Sequence, residues 1–392
     1  METSPKEMIR MLCSAPELPE FIQSEKITDS LISGTSVPFI ELFVQNWEKN
    51  FPETPVSDYF IDYRGNDTKV LKDFLNSEYD KKINETKSIL QKRLEQYGVG
   101  EFLFKDTPTK GIFSIEITGV DKPDEIKQLM TNRCRVEFFE TYENAQILEF
   151  LVQVDNIILD SFPIPTDQLD ENNAASKSLL DRPEEPEDAN LYTDQDTLYK
   201  KYPFTSLLSL NAHQDESGAT IIQKGPVAGR CLIKDTAMVN QMLDFLFSQK
   251  YPIFPRNLSF LWTAKPEVEG AKVLSLIAIK EIRGFAAMDG KNIADAYVSR
   301  NNGMPEIGID FTSNGAQEFR NLTRENIGKA IAIVIDGKVF SYPNVMSEIA
   351  GGKCIISGNF TNEEADLLAS MIKLGMLPLE LKIKSEEIVK EK

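Results

Sequence analysis

Covalent chemistry needs nucleophiles, acids, bases or metal ligands at workable spacing, and this sequence offers few of them. It has one histidine, His213, in the segment NAHQDESG. A Ser-His-Asp or Cys-His mechanism, or a multi-histidine metal site, would have to use that residue alone. Beside Asp215, Glu216, Ser217 and Gly218 it reads as a polar turn residue. Paired carboxylates are the remaining general acid–base candidates: Glu184 with Glu185, Glu363 with Glu364, and Glu386 with Glu387. The first pair lies in a proline-rich acidic stretch and the last in a C-terminal tail. The middle pair falls in the first turn of a helix, where the macrodipole favours negative charge. Cys13, Cys134, Cys231 and Cys354 form no Cys-x-x-Cys pair and read as separate small core residues. No glycine loop of the phosphate-binding kind is present, and Gly351-Gly352 fits a turn into a strand. These residues predict a chain that is not an enzyme and takes no cofactor and no metal.

Composition narrows the partners. A formal net charge of −18 argues against nucleic acid, which needs clustered Lys and Arg, and against an anionic membrane surface. Much of the acidity is local, between Asp167 and Asp196. The longest apolar runs, Ala330 to Ile335 and Val273 to Ile279, are too short to cross a bilayer, so direct membrane insertion by these residues is not expected. The opening METSPKEMIRMLCSAP has no basic start followed by an apolar stretch and does not read as a signal peptide.

The elements that would position any site alternate between helices and strands. Pro38 to Asn50 has an apolar helical face from Phe39, Leu42, Phe43 and Trp47, and Asp67 to Leu75 reads as a second helix. Asp80 to Tyr97 places Ile83, Leu90, Leu94 and Tyr97 at helical spacing, with Gly98 as its stop. Strands follow near 102–105 and 112–118, then a helix from Asp121 to Met130, then the strand RVEFFETY. Helix, strand, strand, helix, strand is a ferredoxin-like order without its first strand. The exposed edge of such a sheet is expected to be paired by another segment, with Leu379 to Lys384 the candidate, or else left open and prone to self-association. Pro163 to Tyr192 is too polar and proline-rich to repay its ordering entropy, and it is expected to be a mobile, protease-sensitive loop. Beyond it, strands at 227–233, 258–263, 273–281, 294–299, 306–312 and 353–357 alternate with helices at 235–248, 313–324 and 361–373. Asp336-Gly337-Lys338 joins the strands 330–335 and 339–342 as a tight hairpin. The fold class is α+β.

Two segments carry a family resemblance. Phe311 to Ile383 contains GAQEFRNLTRENIGKAIAIVIDGKVFSYPNVMSEIAGGKCIISGNFTNEEADLLASMIKLGMLPLELKI. It is similar, almost element by element, to the end of the first periplasmic domain of the SecD family, with its "NIGK", "DG.V.S.P", "I.GG...I.G.F", "EA..LA" and "G.LP" signatures. Glu85 to Tyr142, with ILQKRLEQYGV, IEITGVDKPDEIKQLM and VEFFETY, resembles the family's "RI..GV", "V.LPGV.DP" and "LEF" pattern. DTAMVNQML and FPRNLSFLWTAKP look like the version found in fused SecD–SecF proteins. The family's "GLDL.GG" strand is absent, "LPG" reads Ile117-Thr118-Gly119, and SEEIVKEK stands in place of "GP.LG". The proton-relaying carboxylates of the family's membrane part therefore match no residue here.

The resemblance implies an export accessory subunit on the periplasmic side of the bacterial inner membrane, working with a SecF-type membrane part. Its soluble domain would contact unfolded preprotein leaving the SecYEG channel, and a head tilting over a base would promote export driven by proton flow. On this sequence it implies an N-terminal helical segment (1–80), a base (81–142, completed by 375–392) and a larger inserted α+β head (143–374, with the acidic loop at 163–192). Two crossings would join head to base, one after Phe138 and one through Leu374, Gly375 and Pro378, making a hinge. Gly375 reads equally well as a helix C-cap. Phe139 and Tyr142, with Met376 and Leu377, are the expected preprotein-binding residues, flexible methionine suiting promiscuous contacts. A free-standing binding protein with the same fold is the alternative reading.

Overall fold

The computed structural model describes the chain apart from residues 17, 36, 61–62, 64, 66, 163–198, 200, 215–219, 250–252, 269, 283 and 388–392. The predicted mobile stretch 163–192 lies outside the described residues.

From the N-terminus, β1 (Glu2–Thr3) leads into α1 (Lys6–Leu12), α2 (Pro19–Ile32), α3 (Phe39–Asn50) and α4 (Thr68–Tyr97). Then come β2 (Glu101–Asp106), β3 (Phe113–Thr118), α5 (Pro123–Thr131) and β4 (Val136–Thr141). Next are α6 (Asn144–Leu151), α7 (Val154–Ser161), β5 (Leu208–Leu210), β6 (Ala212–Gln214), β7 (Thr220–Ile222) and β8 (Val227–Leu232). They are followed by α8 (Thr236–Phe247), β9 (Leu258–Trp262), β10 (Val273–Lys280), β11 (Met288–Asp289), β12 (Ile293–Asn301) and β13 (Met304–Phe311). The chain closes with α9 (Ser313–Glu325), β14 (Ile331–Ile335), β15 (Lys338–Ser341), β16 (Lys353–Ile356), α10 (Asn362–Leu374) and β17 (Leu381–Lys382). The class is α+β, as the sequence predicts.

The base is built differently from the expectation. Its first strand is present: β1 pairs antiparallel with β17, and Glu2 bridges antiparallel to Ile112 just before β3. The Phe113 amide donates to the Met1 carbonyl and the Thr3 amide to the Gly111 carbonyl. That one bridge joins the β1–β17 pair to the β2–β3 hairpin, giving the antiparallel order β17–β1–β3–β2. Residues 379–384 therefore do supply a strand, and Glu2–Thr3 lies between it and the hairpin. Tyr79 fixes β1, because its hydroxyl bonds both the Thr3 hydroxyl and the Thr3 carbonyl, at 2.7 and 2.9 Å.

The segment RVEFFETY leaves the base altogether. β4 is an interior strand of the eight-stranded sheet, flanked by β14 on one side and by β10 and β11 on the other. Its alternation explains the placement. Val136 and Phe138 point into one core with Ile331, Ile333 and Ile335 of β14, and Phe139 points into the opposite core with Ala332 and Val334. A strand buried on both faces needs a sheet covered on both faces, and the β2–β3 hairpin, exposed along β2, cannot offer one. The expected boundary at 142/143 thus moves back to the segment before Val136. The boundary at 80/81 also disappears, since α4 runs unbroken from its Asp67 cap to Gly98, whose φ is 88°. Nothing between Leu75 and Asp80 breaks a helix.

The principal core is shared by base and head: Leu90, Leu94, Phe113, Ile126 and Leu129 pack into one cluster with Phe138, Ile307, Phe319, Ile333 and Ile372. α10 lies between α4 and the three-stranded sheet β12–β13–β16. Thr361 caps α10 by accepting from the Glu364 amide while the Glu364 carboxylate accepts from the Thr361 amide, the reciprocal box the sequence predicts. A second core joins α6, α7 and α8 to β5, β8 and β10, and a third holds α1, α3 and the first turns of α4 around Trp47.

Candidate functional site

The expected hinge and binding residues are not brought together. Phe138 is fully buried in mid-strand, its ring packed edge-on against Phe311 and Phe319. Leu374 ends α10, and Gly375 follows it at φ 95°, serving as its C-cap. Phe139 and Leu377 are core residues and offer no surface to a polypeptide. Tyr142 is half-buried, its hydroxyl donating to Asn257 Oδ1 at 2.6 Å with the Lys280 ammonium over its ring. Met376 is half-buried beside Leu377, whose amide donates to the Arg133 carbonyl. Tyr142 and Met376 therefore sit at opposite ends of β4, roughly 20 Å apart at the rise of an extended strand, and cannot line one small site.

A cleft of about 480 Å³ lies elsewhere in the head. Its walls are the segment after β9 (Thr263 to Glu267), the β12–β13 turn, β15 and the loop before α10. The turn forms because Asn302 and Gly303 both take positive φ, 50° and 86°, as a two-residue hairpin loop requires. That leaves Met304 at the mouth, 55% exposed. Phe340 and Phe360 stack at 5.9 Å between ring centroids and 14° between planes. Phe360 is itself buried, so the apolar groups that the cleft leaves open are Phe340 and Met304.

Polar groups frame this apolar floor and are themselves held in place. Lys265 pairs with Glu364, donates to the Asn359 carbonyl at 2.9 Å and stands over the Phe360 ring. Asn359 Nδ2 donates to the carbonyls of Pro266 and Glu267, joining two walls. Glu267 Oε1 accepts from Ser275 Oγ at 2.7 Å and from the Tyr342 hydroxyl at 2.5 Å, with Arg230 at 3.5 Å from Oε2. Burial raises the Glu267 carboxyl, but these hydrogen bonds and Arg230 outweigh it and hold the group below the usual carboxylate range. Burial first, then the hydrogen bond to Glu267 and that carboxylate's charge, push the Tyr342 phenol up. The result is a rigid, hydrogen-bonded rim rather than a poised acid–base pair. Sequence reasoning missed these residues, although the Asn-Gly pair in NNGMP is a legible turn signal.

The chemical candidates fall apart in space. Glu364 serves the helix cap and Lys265, and Glu386 pairs with Lys127 at 2.9 Å. Glu184 and Glu185 are outside the described residues. Burial pushes the thiols of Cys134, Cys231 and Cys354 up to about 12, which leaves them protonated and poorly nucleophilic. Among the described residues no group of three or more His, Cys, Asp or Glu could hold a metal, and no helix is long and apolar enough to cross a membrane.

With the site described, likeness to known proteins becomes informative. Residues 278–379, from the end of β10 through α10, match the family described as SecDF, P1 head subdomain, and these residues carry most of the cleft's rim. The chain is 27% identical to protein translocase subunit SecD of Rhodothermus marinus over 90% of its own length and 54% of that protein. A shorter stretch is 46% identical to SecD of Leptotrichia buccalis, over 26% of this chain and 25% of the relative. Another is 40% identical to SecDF of Thermus thermophilus, over 26% of this chain and 14% of the relative. A solved SecDF structure, described as a membrane component that enhances protein export, aligns at 19% identity with a TM-score of 0.40, covering 79% of this chain and 94% of that one. Residues 278–379 are thus similar to the P1 head subdomain of SecDF. Over nine-tenths of its length the chain is similar to a SecD subunit of a protein translocase, and it spans about half the length of that Rhodothermus protein.

Proposed function

We propose that this chain acts as the extracytoplasmic, periplasmic-side domain of a SecD-type accessory subunit of the Sec translocase. In this reading it contacts unfolded preprotein emerging from the SecYEG channel. Joined to a SecF-type membrane part, it moves head against base to promote export powered by the proton-motive force. Its own residues do no covalent chemistry. The observation that carries the reading is the kinship with translocase subunit SecD along nine-tenths of the chain. The cleft supports polypeptide capture, because an aromatic floor with a flexible methionine at its mouth suits extended segments of varied sequence. Capture would be weak and reversible, as a carrier must release each segment before taking the next.

Fluorescence anisotropy with a labelled, unfolded preprotein segment tests the proposal. The parent chain should bind saturably, and Met304→Asp, which sets a carboxylate at the exposed mouth, should weaken binding several-fold at unchanged thermal stability. Tyr142→Ser with Met376→Ser should leave binding intact. Equal affinity of the parent and Met304→Asp would remove the cleft from the site.

A further inference from the structure

The arginine of the QKRLEQYGV segment does something that the capture reading leaves unused. Arg93 is 1% exposed, one of the largest fully buried side chains of the described residues. Its guanidinium makes four hydrogen bonds, all to backbone carbonyls: Nη1 to Leu129 (3.0 Å) and Asn132 (2.6 Å), Nη2 to Arg133 (3.2 Å) and Gly375 (3.0 Å). Nε has no hydrogen-bond partner, and the side chains that favour the charge are the Cys134 thiol and the Asp336 carboxylate. Its acceptors come from both places where the chain passes between base and head. Leu129 to Arg133 lead from α5 into β4, and Gly375 leads out of α10 toward β17.

Each crossing also carries a residue at positive φ, Cys134 at 59° and Gly375 at 95°. A positive φ at a non-glycine residue such as Cys134 persists only where its surroundings hold it. Asp336 does so from the head, accepting from the amides of Cys134 and Arg135 at 3.0 and 2.9 Å. Arg133 ties the crossings to each other through Leu377 and Pro378, and to α1 through Glu7.

We propose that Arg93 is the clasp that sets the head against the base, a positioning residue that binds both crossings at once. The proposal deepens the head–base movement of the preceding reading and rests on it. A buried guanidinium held chiefly by four carbonyls, with the Cys134 thiol and the Asp336 carboxylate of the same junction beside them, tolerates little displacement, because moving either crossing strips acceptors from a charge that water does not reach. The junction is therefore two-state. Either all four bonds are made, or the guanidinium is hydrated and both crossings are released together at Cys134 and Gly375.

The test uses the purified full chain with spin labels on exposed Lys92→Cys in α4 and Lys291→Cys in the head, read by double electron–electron resonance. Arg93→Met should add a second base–head distance population. Hydrogen exchange should accelerate at the amides of Cys134, Gly375 and Leu377 while β10 and β14 keep their protection. Arg93→Lys, which restores a buried donor, should recover most of the parent distribution. Parent-like distances and exchange in Arg93→Met would overturn the clasp. So would a uniform loss of protection across β10 and the junction in both variants, which would make Arg93 ordinary core. Polypeptide binding at the cleft is scored separately by anisotropy, so loss of the clasp and loss of the capture reading give different results.

Discussion

Glu137 illustrates how single residues in this chain are set by their surroundings. It is buried on β4, ion-paired to Arg135 at 2.7 Å, and burial pushes its carboxyl above the ordinary range despite that partner. A carboxyl with a raised folded pKa adds stability in its protonated form. That contribution is full below the unfolded pKa and is lost as pH rises through the folded one. Glu137→Gln should therefore raise the urea midpoint at neutral pH, with the gain fading in acidic buffer. An equal gain at both pH values would mean the charge is not the cause. Glu267 has the opposite sign. Its lowered pKa gives stability that is present above the unfolded pKa and is lost as pH falls through the folded one.

At the scale of elements, β4 and α10 do most to join the parts. Phe138 packs between Phe311 and Phe319 on one side of β4 while Phe139 fills the other side. Phe138→Ala should cost about 3–5 kcal/mol, the usual penalty for emptying a packed aromatic site. Thr361→Ala removes one half of the α10 capping box and should cost about 1 kcal/mol. Urea unfolding followed by circular dichroism measures both. A Phe138→Ala loss as small as that of Thr361→Ala would show that β4 is not central to the core. Because α10 also touches α4 of the base, α4 protection in hydrogen exchange should fall in both variants, and further in Phe138→Ala.

For the molecule as a whole, the net charge of −18 sets how partners approach. Long-range attraction accelerates encounter with basic chains and is screened by salt. Association of a lysine-rich unfolded segment should slow as ionic strength rises, while that of an uncharged segment of equal length should stay constant. Stopped-flow anisotropy reads both rates. Identical salt dependence of the two segments would show that the acidity plays no part in capture.

Local order was legible along the sequence. The helical spacing of Leu90 and Leu94, the Thr361–Glu364 box and the Asp336-Gly337 turn, with φ of 51° and 74°, depend on neighbours within a few residues. The family likeness was legible for the same reason, since it rests on short motifs in order. Strand partnership was not. RVEFFETY fits a base sheet or a head sheet equally by periodicity, and only the double-faced burial offered by β10 and β14 placed it in the head. Glu2–Thr3 is too short to announce itself as a strand, and pairing with β17 and Ile112, over a hundred residues away or more, makes it one. The cleft and the Arg93 clasp are likewise tertiary facts. Each is assembled from loops or carbonyls far apart in sequence, and backbone carbonyls leave no trace in residue type.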